Sequence, residues 1–126
     1  MKIQENNPPR EFKVGWGPKF TIKDCAHIDL AANEQVTFKT EKGGEYDVVR
    51  KDWGFYATPS INSRLERFGL RAMLVVNKVN CYYVMLVEEG KNEEFARYVE
   101  QEELTVCGPL NTETLPALAQ AMAGDK

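Results

Sequence analysis

Leu70-Arg71-Ala72-Met73-Leu74-Val75-Val76-Asn77 runs into Lys78-Val79-Asn80 and returns as Cys81-Tyr82-Tyr83-Val84-Met85-Leu86-Val87. Both apolar runs are rich in β-branched and aromatic residues, and both fall far short of the roughly 20 residues that cross a bilayer. They predict two strands joined by a turn around Lys78-Val79, the central hairpin of a sheet.

Working toward the C-terminus, Asn92 is placed to cap a helix. Glu93 and Glu94 would complement its N-terminal dipole, and Phe95, Tyr98 and Val99 give it an apolar stripe. Leu104-Thr105-Val106 is a short extended piece before the turn Cys107-Gly108-Pro109, and Leu115, Leu118 and Met122 outline a C-terminal helix with fraying ends.

Toward the N-terminus, Ile61, Leu65 and Phe68 fall at i, i+4 and i+7 between Pro59 and Gly69, predicting a short amphipathic helix over 59–68. Val36 to Thr40 alternates, Gly43-Gly44 permits a turn, and Tyr46 to Arg50 returns as a hairpin partner. Asp52-Trp53-Gly54 reads as a bend or bulge before Phe55-Tyr56-Ala57 continues extended. Phe20 to Leu30 alternates as a half-buried strand with Ile22, Ala26, Ile28 and Leu30 inward. Residues 1–9, polar and containing Pro8-Pro9, read as a flexible leader.

The division expected is therefore a leader over 1–9, one β-rich domain over 10–110, and a short C-terminal helix or frayed tail over 111–126. At 126 residues, 43% hydrophobic and 28% charged, the chain suits a single core. The fold class predicted is α+β: a mostly antiparallel, curved sheet or partly closed barrel covered by two or three short helices. A β-sandwich with peripheral helices is the alternative.

Composition narrows the chemistry. Cys25, Cys81 and Cys107 are odd in number and widely spaced, so they form no disulfide framework or CxxC zinc pattern, which fits a reducing, cytoplasmic setting. The start of the chain has no apolar stretch of the secretory kind. A net charge of −3 gives no general attraction to nucleic acid. Charge is nevertheless uneven: Arg50 to Lys78 holds six basic residues against two acidic ones, and Glu88 to Glu103 holds seven acidic residues against two basic ones. Opposite patches of this kind can pair between subunits, although solvated helix faces also explain them.

Cys25, His27 and Asp29 share a strand face, but neighbours two apart on a strand sit roughly 6 to 7 Å apart. With His27 the only histidine, neither a metal site nor a catalytic triad is expected there, and no cofactor is expected because neither a P-loop nor GxGxxG occurs. The more informative segment is Arg50 to Arg64. Trp53 and Tyr56 could stack on a sugar or base, Asn62 and Ser60 could hydrogen-bond, and Arg50 or Arg64 could hold an anion. The candidate ligand-binding residues are Trp53, Tyr56, Asn62 and Arg64. The alternation of Trp53 with Phe55 and Ala57 favours a core role for Trp53 itself.

Glu45 to Pro59, with Arg10 to Gly15 and Glu34 to Phe38 upstream, resembles a family of small uncharacterised bacterial proteins encoded among surface-polysaccharide biosynthesis genes. The resemblance covers Arg10 to about Pro109. It implies a ligand class of envelope sugars or their nucleotide-activated precursors, handled on the cytoplasmic side, and transfers no catalytic residue.

The function expected is a non-catalytic binding or accessory protein of bacterial surface-glycan biosynthesis, with a sugar or nucleotide-sugar as ligand. One alternative is a small sugar-modifying enzyme of isomerase or lyase type, using Tyr56, Asp52 or His27 as acid or base. Another is a structural homodimer or a subunit of a glycan-enzyme complex, joined through a sheet edge or the C-terminal helix.

Overall fold

A computed structural model describes residues 1–124. The expected hairpin is present as β6 (Leu70–Val76) and β7 (Tyr82–Glu88), and β6 is central, with β8 (Thr105–Pro109) antiparallel on its other side. Alternation along β6 divides the buried residues between two faces. Met73 and Val75 join Val87 on one face, packed by Phe95, Met85 and Leu104. Leu70 and Ala72 point to the other, where Leu65, Tyr46, Ile61, Leu86 and Leu110 cover them.

Phe95 belongs to α2 (Asn92–Gln101), whose apolar stripe closes the first face. Its N-cap is Lys91, which makes no side-chain cap bond. Asn92 instead accepts a hydrogen bond from Arg71 Nη2 at 2.5 Å, a correction to the expected capping role. Leu65 belongs to α1 (Arg64–Arg67), a single turn where a helix over 59–68 was expected; Pro59 and the turns after it leave only four residues in helical form.

A second antiparallel sheet holds β3 (Gln35–Lys39), β4 (Glu45–Lys51) and β5 (Gly54–Thr58). The segment read as a bend is a hairpin turn. Arg50 pairs with Phe55 and Lys51 with Gly54, leaving Asp52-Trp53 at the tip, and Gly54 takes φ 145°, where a side chain would be strained.

The third sheet is a two-stranded ribbon of β1 (Lys2–Val14) and β2 (Phe20–Asp29). The expected flexible leader is therefore strand. Lys2 to Glu5 pair with Asp29 to Ala26, and the proline-containing stretch is absorbed as an irregularity between Glu5 and Arg10, where Asn6 Nδ2 donates to the Asp24 carbonyl at 3.0 Å.

The molecule is roughly α+β and antiparallel, and among the described residues its strands form three separate sheets, not closed into a barrel. The last helix, α3 (Leu115–Gly124), fits the expected C-terminal helix, and the final two residues of the 111–126 segment lie outside the described residues. Among the described residues no helix is long and apolar enough to cross a membrane.

Candidate functional site

At the tip of the β4–β5 hairpin, Trp53 and Tyr56 stack with ring centroids 6.4 Å apart and planes 22° from parallel. Trp53 is 68% exposed, which overturns its expected place in the core: it sits in the turn, outside the alternation that turns Phe55 and Ala57 to one face. Of the four candidate ligand residues, the fold brings these two together. Asn62 and Arg64 come after the far end of β5, beyond Thr58 and Pro59. There the Asn62 carbonyl accepts a bond from Thr112 Oγ1 at 2.9 Å, and the Arg64 guanidinium lies 5.8 Å from the Phe68 ring centroid. Arg50 packs over Phe55 at 5.6 Å, and its buried Nη1 finds no hydrogen-bond partner among the described residues.

On the ribbon, His27 Nε2 lies 3.2 Å from Asp24 Oδ2, and Arg10 reaches the same oxygen at 2.6 Å. The Arg10 and His27 hydrogen bonds hold the Asp24 carboxyl below its usual range. At the ribbon's end Glu34 takes the Ala31 N–H at 2.7 Å and the N-terminal ammonium at 3.0 Å, which lowers its carboxyl likewise. These are exposed structural pairings. Of the acid-base candidates, Tyr56 stacks on Trp53 at the β4–β5 hairpin and His27 contacts Asp24 on the ribbon. Among the described residues no group of three His, Cys, Asp or Glu is placed to hold a metal.

A cleft of about 620 Å³, not expected from the sequence, lies between the ribbon and the β6–β7–β8 sheet. Val14, Phe20 and Ile22 of the ribbon face Tyr83, Met85 and Leu104 across it, and Phe20 meets Tyr98 edge to face at 6.2 Å. Burial raises the Tyr98 phenol above its usual range, with Glu102 and Tyr83 adding to the effect. The ribbon's turn closes one end. Glu102, just past α2 and 5% exposed, accepts the Trp16 N–H at 2.8 Å and the Gly17 N–H at 3.4 Å. The Lys78 ammonium lies 4.7 Å from the Trp16 ring centroid. Only glycine fits at position 17, because a Cβ there would sit 2.2 Å from the Gln101 carbonyl oxygen. Contacts over so many residues in sequence left no local signal beyond Gly15-Trp16-Gly17-Pro18, which reads as a turn.

The ribbon's apolar face remains uncovered beyond this anchored end. Cross-strand partners share a face, so Ile3 and Ile28, and Phe12 and Ile22, form apolar pairs, and all four are between 38% and 53% exposed. The strand expected to be half-buried thus keeps its alternation without its cover. No family model, curated protein or solved structure matches the chain.

Proposed function

We propose that the chain is a non-catalytic accessory subunit that works in assembled form, and that its setting is bacterial surface-glycan biosynthesis. One observation carries the assembled form. The chain exposes 9292 Å², whereas a folded monomer of 14.3 kDa exposes about 6,800 Å². The excess, roughly 2,500 Å², is of the size each partner buries in a permanent complex. Much of it is apolar, including Phe12, Phe38, Phe55, Val84 and Met122. The glycan setting and a cytoplasmic location rest on the resemblance of Glu45 to Pro59.

Sedimentation velocity over a concentration series tests the assembled form. The expected result is a species heavier than one chain at micromolar concentration; a single 14.3 kDa species throughout would count against it.

The stacked Trp53–Tyr56 pair favours a second reading, in which the same subunit holds a sugar or nucleotide-sugar ring against the hairpin tip. Titration with a panel of activated sugars should shift the Trp53 indole resonance, and shifts confined to other residues would remove this reading.

A further inference from the structure

We infer that chains assemble by seating the C-terminal helix α3 of one copy in the aromatic cleft of another, an inference that rests on the assembled form proposed above. The helix, Leu115-Pro116-Ala117-Leu118-Ala119-Gln120-Ala121-Met122-Ala123-Gly124, carries no charged side chain, yet none of its residues is buried. A short helix this apolar is stable in water only with a partner. Leu115, Leu118 and Met122 fall at i, i+3 and i+7, the spacing with which a helix anchors in a groove. The cleft offers the complementary surface: an open volume of about 620 Å³ lined by Val14, Phe20, Ile22, Tyr83, Met85 and Leu104.

The occupant is a second copy because the helix of the same chain starts on the wrong side. Leu110, just before α3, packs with Leu70 and Ala72 on one face of β6, and Thr112 is tied to the Asn62 carbonyl there. Met85 and Leu104, which line the cleft, pack with Met73 and Val75 on the opposite face. A chain anchored at Leu110 reaches Leu115 in five residues, at most about 18 Å, and no residue of α3 lines the cleft of its own chain. The area fits as well: the roughly 2,500 Å² excess per chain covers what a helix and a cleft, both buried in each chain, remove from water. Because the two surfaces differ, the contact is heterologous, and each copy gives a helix and receives one.

The test uses two full-length variants and light scattering after gel filtration. Leu118→Glu with Met122→Glu spoils the helix surface at exposed positions while retaining a helix-forming residue. Ile22→Glu spoils the cleft, with Tyr83→Ser as a second cleft variant should Ile22→Glu lose its circular dichroism. The wild type should elute as an oligomer, each variant alone at the mass of one chain, and an equimolar mixture of helix and cleft variants at the mass of two, since one intact contact remains between them. An assembled wild type whose mass survives the helix substitutions, or a mixture that stays at one chain, would overturn the exchange and leave the assembled form standing. A monomeric wild type would remove both.

Discussion

Glu102 is 5% exposed, and its side-chain oxygens accept hydrogen bonds from two backbone N–H groups of the ribbon's turn. Glu102→Ala removes both acceptors and leaves the Trp16 and Gly17 amides to find water, at a cost of about 1 to 3 kcal/mol. Urea unfolding should register that loss, together with faster exchange at the two amides. Leu65 and Trp53 make the opposite pair. Leu65 is fully buried, so Leu65→Ala should cost about 2 to 5 kcal/mol. Trp53 stands largely in solvent, so Trp53→Ala should change stability by no more than about 0.5 kcal/mol while weakening any stacked sugar. Thermal melts of the two variants check this contrast, and a large loss for Trp53→Ala would return that residue to the core.

Among the elements, the ribbon carries a cross-strand ion pair between Arg10 and Asp24. Asp24, held by Arg10 and His27, and Glu34, held by the Ala31 amide and the N-terminal ammonium, both have carboxyls lowered in the folded state. A lowered folded value means the contribution is present above the ordinary carboxylate range and is lost as pH falls through about 4 and below. Amide spectra on acidification should therefore show cross-strand contacts of β1 and β2 fading before those of β6 and β7. A ribbon that persists at about pH 3 as firmly as at neutrality would contradict the assignment. The same comparison of elements shows what a linear reading captures. Hairpins with local turns and alternating residues, 36–50 and 70–87, were legible, as was the helix on Phe95 and Tyr98. Strand β1 was not, because Pro8-Pro9 argues against a strand locally and the pairing of Lys2 with Asp29 is decided by β2. Alternation in β2 identified an apolar face but carries no information about whether anything covers it. Of the candidate site, the sequence located the Trp53–Tyr56 pair and missed the cleft, whose walls come from β1, β2, β7 and α2.

At the scale of the whole molecule, the buried hydrophobic residues other than Val49 of β4 form two small clusters on opposite faces of β6, while large apolar side chains on the ribbon, the hairpin tip and α3 face solvent. With so thin a core, the assembly proposed above would supply much of the stability through contacts between chains. Under that proposal folding and association are linked, and the stability of the native form should depend on protein concentration. Thermal unfolding across about a hundredfold range of concentration reads that linkage directly. The midpoint of the wild type should rise steadily with concentration. A midpoint that stays fixed over the whole range, with a mass of one chain at both ends, would contradict the proposed assembly.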